Sequence, residues 1–410
     1  MCERFSALLK LYPMLLKADM MNRFQLVILC LLLSFASAVK AQTVTVGSPQ
    51  TMLTASQRLS DGLNYFPDGN MGAFLSNGTY YVFAPVGYTQ GITLSSLNTW
   101  TNGLSLINTS AVFPLGASGA FDQNYAGGGA VYLDPNTGIL IGLYHGEYWY
   151  NPPGNGSVFY AGQGLAYSND LGVTWHKLGQ VISPQTARSG NCQVDVGTGT
   201  LLVVGAYLYD YYVDESSNCD TNNFNIAVAR APISAVIAAA QAGTPFTSGA
   251  GTLFMKYTGN GTWNGDGVTD LANPQNGGGA FTDLLTGNSY FEPNVVYNSY
   301  LSQYVMTYSN SFASIEMRFS SDGLTWGSPT TLVGGGGEPP NGIYYPSSLN
   351  TSGGDPETLG SSFYVYYVDP FGDWSQSNLM RVQVTVGSTA PPPPPPNPPA
   401  PPTLLPPIIH

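Results

Sequence analysis

Four acidic residues lie just upstream of segments predicted to be inner strands of a β-sheet: Asp68, Asp122, Glu292 and Asp355. Side chains at such entrances can converge on one site, because the inner strands share an end. A pair of carboxyl groups can cleave a glycosidic bond: the protonated one delivers a proton to the leaving oxygen, and the ionised one activates water or attacks the sugar. We therefore take Asp68, Asp122 and Glu292 as candidate catalytic residues.

Aromatic and polar residues are densest between positions 144 and 150. His145 and Glu147 alternate on a predicted strand, so they point the same way and could line a channel. Tyr148 and Trp149 could stack against sugar rings, and we add Tyr345 to these candidate substrate-binding residues. The alternative is a strand end packed with core aromatics.

Two segments predict a tight turn between strands. Residues 168–175 match the eight-residue Asp-box pattern Ser-x-Asp-x-Gly-x-Thr-Trp, and residues 320–326 repeat it with one residue fewer. In both, Ser and Asp bond back to the turn, Gly takes a positive φ, and Trp packs beneath. The residues concerned are Ser168, Asp170, Gly172, Thr174 and Trp175, then Ser320, Asp322, Gly323, Thr325 and Trp326. We expect Asp170 and Asp322 to be structural.

Short strands separated by Gly, Asn and Asp turns fill the chain, and hairpins with a return strand recur about five times. This repeat predicts an all-β fold, a β-propeller of about five blades, each a four-stranded antiparallel meander, over residues 55–387. The third hairpin is predicted to turn at Gly197-Thr198-Gly199. One short helix is expected over 233–241 and a long insertion over 243–290.

The chain ends differ from this core. Residues 1–41 have the charged start, short apolar run and small-residue end of a signal peptide, so we expect a secreted protein without an integral membrane span. Residues 42–54 form an N-terminal segment, and 388–410 a proline-rich tail of extended or disordered chain. Cys192 and Cys219 remain after the signal, and an oxidising compartment favours a disulfide between them.

Charge and composition limit the classes of molecule that the protein could bind. The chain has 12 Lys and Arg against 24 Asp and Glu, which disfavours nucleic acid as a partner. Its 27 tyrosines and many neutral polar residues suit a neutral glycan or polysaccharide. No spacing typical of a metal or nucleotide site is present, so we expect no metal and no cofactor, and a monomer.

The blade pattern and the acids resemble the five-bladed glycosidase superfamily of arabinanases, xylosidases and invertase-like enzymes. The resemblance implies that Asp68 is the base or nucleophile, and that Glu292, followed by Pro293, is the acid. This chain differs in having Asp68-Gly69 where the family has Asp-Pro, and in having glycines at 127–129 where the middle Asp is usual. The Glu also falls on the predicted fourth blade instead of the third. The two turns are similar to those of sialidases, but the arginines do not lie in that family's contexts.

Three functions follow as hypotheses. The first is a secreted glycoside hydrolase acting on a neutral polysaccharide or oligosaccharide. The second is a non-catalytic carbohydrate-binding or adhesion propeller at the cell surface, and the third is a structural surface protein anchored by its proline-rich tail. Two or three acids converging at the channel mouth would favour the enzyme.

Overall fold

The computed structural model describes residues 42–86, 88–94, 105–106, 113–150, 158–189, 193–215, 224–244, 253–287, 289–350 and 356–388. The chain divides into two units. Residues 44–387 form one of them, and the other combines residues 1–43 with 388–410. The predicted signal peptide, the proline run, Asp355 and both Cys192 and Cys219 lie outside the described residues, so the disulfide stays a prediction.

Five β-sheets follow one another along the chain as the blades of a β-propeller. The described chain opens with β1 (Gln42–Val46), β2 (Gln50–Leu53) and a short helix (Ala55–Ser60). The first blade then contains, in sheet order, β3 (Gly72–Ser76), β4 (Thr79–Val86), β5 (Tyr88–Leu94) and β6 (Ser105–Leu106). The second blade contains β7 (Tyr125–Gly127), β8 (Val131–Leu133), β9 (Leu140–Trp149), β10 (Phe159–Ser168) and β11 (His176–Ile182), with β7 and β8 both paired to β9.

The third blade runs outward from its inner strand without a crossover. It contains β12 (Val196–Val204), β13 (Tyr207–Asp214), β14 (Asn225–Pro232), β15 (Met255–Tyr257) and β16 (Trp263–Asp266). A helix (Ile233–Ala242) and a 3₁₀ turn (Pro274–Asn276) are connected to this blade.

The last two blades complete the propeller. The fourth contains β17 (Tyr290–Asn298), β18 (Gln303–Asn310), β19 (Ser314–Ser320) and β20 (Thr330–Gly334). The fifth contains β21 (Gly342–Asn350), β23 (Ser362–Phe371) and β24 (Asn378–Ser388), and β1 and β2 both pair with β24. Strand β22 (Thr358–Leu359) joins the fourth sheet as a parallel partner of β17. The segment 42–54, predicted to precede the propeller, therefore supplies two strands to its last blade.

Apolar side chains fill the space between neighbouring blades. Leu143 and Leu165 of the second blade share one buried cluster with Leu201 and Leu208 of the third. Burying such a side chain stabilises the fold by about 2 kcal/mol. This packing holds the inner strands in fixed positions around the channel.

The turn at 168–175 has the hydrogen bonds that its sequence suggests. The Ser168 hydroxyl donates to Asp170 Oδ1 at 2.7 Å and accepts the Gly172 amide at 2.8 Å. Asp170 accepts both the amide and the hydroxyl of Thr174, at 2.8 and 2.7 Å. Gly172 has φ of 89°, and the buried Trp175 donates its ring N–H to the Gly172 carbonyl. Asp170 therefore acts within the turn.

The shorter turn at 320–326 uses the same contacts. Ser320 donates to Asp322 Oδ1 at 2.9 Å and accepts the Gly323 amide at 2.8 Å. Asp322 accepts the Thr325 amide at 2.7 Å, and Gly323 has φ of 73°. Trp326 contacts Tyr211 edge to face, with ring centroids 6.4 Å apart.

The predicted all-β propeller is confirmed, and so is the helix predicted over 233–241. Two local predictions are wrong. Gly197-Thr198-Gly199 is an irregularity inside β12, and the turn of that hairpin lies instead at Gly205-Ala206. The stretch predicted as an insertion over 243–290 includes the two outer strands of the third blade, β15 and β16. Among the described residues, no helix is both long and apolar enough to cross a membrane.

Candidate functional site

Each blade presents one polar side chain at the same end of its inner strand: Asp68, Tyr125, Asp195, Glu292 and Tyr345. Several of these side chains touch. The Tyr125 hydroxyl donates to Asp68 Oδ2 at 3.0 Å, and the Tyr345 hydroxyl lies 3.5 Å from Asp68 Oδ1. The charges of Asp195 and Asp68 both reach the Glu292 carboxyl and raise its pKa. The five groups therefore form one site at the mouth of the channel.

A shared backbone irregularity aims two of these side chains. The pairing of β17 with β18 skips between Phe291 and Asn294, and the pairing of β21 with β23 skips between Tyr344 and Ser347. The first extra residue is Glu292 in one blade and Tyr345 in the other, with φ of 50° and 55°. A proline follows each of them. Bulges of this kind re-aim side chains next to functional sites.

The third blade has the same irregularity with glycine at the equivalent place. The pairing of β12 with β13 skips between Val196 and Gly199, which makes Gly197 the first extra residue. A Cβ at Gly197 would lie 2.8 Å from Glu292 Oε1. Val213 Cγ1 would lie closer still, at 2.5 Å, so glycine at this position leaves room for both Val213 and the Glu292 carboxyl group.

Glu292 is the most buried acid of the site, with 6% of its surface exposed. The Thr198 hydroxyl donates to Glu292 Oε2, and Thr198 Oγ1 also lies 2.9 Å from Asn70 Oδ1. Burial raises the pKa of Glu292 to about 8, because desolvation disfavours the charged form more than the Thr198 hydrogen bond favours it. Glu292 is thus mostly protonated at neutral pH.

Asp68 has a different environment. Its loop is anchored by its own amide, which donates to the Pro85 carbonyl at 3.1 Å. Burial raises the pKa of Asp68 to about 6, while the hydrogen bonds from Tyr125 and Tyr345 act in the opposite direction. Asp68 is therefore mostly ionised at pH 7, and the two acids differ in charge state.

His145 supplies the positive charge of the site. Its Nδ1 donates to the Val196 carbonyl at 2.9 Å, and its Nε2 lies 3.1 Å from Glu147 Oε1. Burial alone would lower the pKa of His145, but the Glu147 hydrogen bond and the charges of Asp195 and Glu147 raise it to about 9. The imidazolium in turn lowers the pKa of Asp68 and of Glu292.

Trp149 is joined to the same group, since its indole N–H donates to Glu147 Oε2. Tyr148 lies on the other face of β9, where the Arg188 guanidinium stacks over its ring at 4.2 Å. The structure therefore brings His145, Glu147, Trp149 and Tyr345 together with Asp68, and it places Tyr148 apart from them.

Acidic groups continue behind Asp195 in the third blade. Burial and the charges of Asp195 and Asp214 raise the pKa of Glu215 to about 9. Lys256 is fully buried, donates to the Ser183 carbonyl at 2.8 Å and lies 3.7 Å from Asp214. Of the acids in this region, Asp195 is the one whose charge raises the pKa of Glu292.

Asp122 does not join the site, contrary to the sequence-based prediction. Its carboxylate pairs with Lys177 at 2.6 Å and accepts the Tyr144 hydroxyl at 3.1 Å. Tyr144 and His145 are neighbours on β9 and so point to opposite faces. The backbone beside the second inner strand is crowded at Gly129, where a Cβ would lie 2.0 Å from the Asn70 carbonyl oxygen, so this position has no room for an acidic side chain.

Sequence reasoning missed Asp195, Tyr125 and Thr198. A signal for Asp195 was available, because it directly precedes the third inner strand, as Glu292 enters the fourth. Interpreting Gly197–Gly199 as a turn concealed that strand. Among the described residues, no group of three or more His, Cys, Asp or Glu side chains is arranged to hold a metal ion.

Comparison with known proteins gives structural neighbours only. No family model matches the chain, and no curated protein matches its sequence. An α-L-arabinofuranosidase from Lactobacillus brevis aligns with a TM-score of 0.47 at 14% identity, covering 78% of this chain and 91% of that one. The catalytic domain of an α-L-arabinofuranosidase from Coprinopsis cinerea aligns with a TM-score of 0.47 at 12% identity, covering 84% and 98%.

An exo-β-1,3-galactanase from Phanerochaete chrysosporium, crystallised with galactose, aligns with a TM-score of 0.45 at 10% identity. That alignment covers 82% of this chain and 64% of the galactanase. All three TM-scores lie below 0.5, so these neighbours do not indicate the function of this chain.

Proposed function

We propose that this protein is a glycoside hydrolase in which Glu292 is the general acid and Asp68 the base or nucleophile. The observation that supports this most is the unequal burial of two acids from different blades at one channel mouth. Glu292 is held protonated, while Asp68 accepts the Tyr125 hydroxyl and stays ionised. Glycosidases need this combination of one acidic and one ionised carboxyl group.

The reaction balances with these two residues and one water. Glu292 transfers its proton to the glycosidic oxygen as the bond from that oxygen to the anomeric carbon breaks. Asp68 either removes a proton from the water that attacks the anomeric carbon, or attacks that carbon itself before water releases the sugar. In the first route Asp68 then releases its proton to solvent and Glu292 takes one up; in the second, Glu292 recovers its proton from the water that releases the sugar.

The surroundings of the acids support a neutral sugar as substrate. Positive charge at the site comes from His145, which is engaged by Glu147 and by Asp195 at 3.9 Å. A substrate carboxylate or phosphate would meet Asp68, Asp195 and Glu147, and the described part of the chain offers it no further cation at the site. We further propose that the protein is exported, on the basis of the apolar run before residue 42.

The test is hydrolysis of arabinan, xylan, fructan and galactan, and of aryl glycosides of the same sugars, by the wild type and two variants. Glu292→Gln keeps the shape of the acid and removes its titratable proton, so hydrolysis should be lost while sugar binding remains. Asp68→Asn should also abolish hydrolysis. The matched control is Glu316→Gln, because Glu316 is a buried acid of the same blade that accepts bonds from Tyr308 and Asn310.

Hydrolysis by Glu292→Gln at the wild-type rate would remove Glu292 from the mechanism. Sugar binding by the wild type without hydrolysis of any glycan would instead support the non-catalytic carbohydrate-binding propeller. Loss of activity in Glu316→Gln as severe as in Glu292→Gln would show that any buried acid of this blade is needed for folding, and the assignment would fail.

A further inference from the structure

A series of aromatic rings leads from the site to the protein surface. Tyr345, whose hydroxyl lies against Asp68, contacts Phe371 edge to face with centroids 5.5 Å apart. Phe371 contacts Trp374 at 5.8 Å, and Trp374 contacts Tyr65 at 5.6 Å, again edge to face. Tyr65 is 50% exposed, and Phe371 and Trp374 are half-buried. We call Tyr345, Phe371, Trp374 and Tyr65 the aromatic track.

The two loops that carry the outer part of the track are held together by one buried cation. Arg58 has no exposed surface, and its guanidinium donates to the carbonyls of Leu63 and Asn64 in one loop. It also donates to the carbonyls of Trp374 and Ser377 in the other loop. Since Asp68 follows in the first loop, Arg58 fixes the track relative to Asp68.

The outer end of the track is open to a ligand. Half of the Tyr65 surface faces solvent, and the loop before it is bonded to Arg58 through the Leu63 and Asn64 carbonyls. Adjacent rings at right angles present both a face and an edge, which suits a ligand whose units rotate relative to one another. The apolar C–H faces of neutral sugars match such rings, and no charged partner is required.

We propose that the aromatic track is a further glycan-binding subsite, which binds sugar units beyond the one that is cleaved. It rests on the proposed function in that the reacting sugar occupies the space beside Asp68 and Tyr345. The protein then acts on a chain of several neutral sugars in preference to a glycoside of one sugar. Tyr65 and Trp374 bind the distal units, and Arg58 is a positioning residue.

The experiment compares two classes of substrate for Tyr65→Ala and Trp374→Ala. The first is a set of aryl glycosides with one sugar, and the second is oligosaccharides of two to five units from arabinan, xylan, fructan and galactan. We expect kcat/KM for the longer oligosaccharides to fall about tenfold in each variant, with the aryl glycosides unchanged. Tyr65 can be removed safely for folding because it is half exposed. The matched control is Tyr300→Ala, since Tyr300 is 37% exposed and lies beyond the opposite end of β17.

Binding is measured independently of catalysis by calorimetric titration of the same oligosaccharides into Glu292→Gln, with and without Trp374→Ala. Equal losses of kcat/KM on one-sugar and longer substrates, or an affinity that does not rise with chain length, would refute the proposed subsite but not the hydrolase. Weaker oligosaccharide binding in the Glu292→Gln, Trp374→Ala double variant, together with no hydrolysis by the wild type, would refute the hydrolase but support the aromatic track as a binding subsite. Absence of both binding and hydrolysis would refute both.

Discussion

The hydrogen bond from Thr198 to Glu292 offers a direct test of how the acid is tuned. Thr198→Val removes the hydroxyl and keeps the shape of the side chain. In the wild type this hydroxyl can donate to ionised Glu292, or it can turn to Asn70 Oδ1 when Glu292 is protonated. The hydrogen bond therefore favours the charged form, and it lowers the pKa that burial raises.

The size of the effect follows from the difference between two kinds of hydrogen bond. A bond to a charged group contributes about 1.5–3 kcal/mol, and a bond between neutral groups about 0.5–1.5 kcal/mol. The difference of roughly 1–1.5 kcal/mol corresponds to about one pKa unit, because one unit is worth about 1.4 kcal/mol. We expect the pKa of Glu292 to rise from about 8 by that amount.

The assay is the pH dependence of kcat/KM, which reports the free enzyme. The wild type should give a bell with an acid limb near pH 6, where Asp68 ionises, and an alkaline limb near pH 8, where Glu292 loses its proton. Thr198→Val should move the alkaline limb upward by about one unit and leave the acid limb in place. Thr307→Val is the control, because Thr307 is a fully buried threonine bonded to Ser348 away from the site. An alkaline limb that stays in place or moves downward would refute the assigned role of Glu292.

Three further substitutions test the scaffold. Gly197→Ala should lower kcat about 100-fold, because its Cβ would lie 2.5 Å from Val213 Cγ1 and 2.8 Å from Glu292 Oε1 and so shift the carboxyl group; steady-state kinetics with a circular dichroism check of folding measures this. Asp122→Asn should lower the free energy of unfolding, measured with urea, by about 3 kcal/mol, because it leaves Lys177 without its partner. The folded variant should keep its activity. Loss of activity would instead show that Asp122 takes part in the mechanism. Asp170→Asn should cost about 1 kcal/mol at pH 7. The pKa of Asp170 is lowered in the fold, so this difference should shrink as pH falls below 3.8, and a constant difference would contradict the turn assignment.

Local chemistry explains why much of the fold could be predicted. The turns at 168–175 and 320–326 are specified by side chains that bond within a few residues, so their sequence is sufficient. Most hairpins are predictable for the same reason, because apolar alternation and turn residues are also local signals. The third hairpin was misplaced because Gly197 and Gly199 are typical of a turn, whereas close contacts from Glu292 and Asp210 account for them.

The candidate site is harder to predict, because a residue lies at the site only if strand pairing places it on the face that points towards the site. Asp122 and Asp195 both lie upstream of inner strands, and nothing in their immediate sequence separates them. The register of β9 sends Tyr144, and with it Asp122, to the face opposite His145. The contact of His145 with the Val196 carbonyl brings Asp195 to the site instead.

The repeated bulge accounts for how a nearly symmetric propeller acquires an asymmetric site. The bulge occurs at equivalent positions in three blades, and its first extra residue is Glu292, Tyr345 or Gly197. One position therefore carries an acid, one a phenol, and one no side chain. A positive φ at a residue other than glycine costs on the order of 1 kcal/mol and persists only where surrounding structure enforces it. At Glu292 and Tyr345 this conformation coincides with the bulged strand pairing. Because Gly197 yields its Cβ space to Glu292, the acid is buried enough to keep its proton, while Asp68, outside any bulge and held by two phenols, is not. The two acids therefore differ in charge state because Glu292 is buried at a bulge, whereas two tyrosine hydroxyls bond to Asp68.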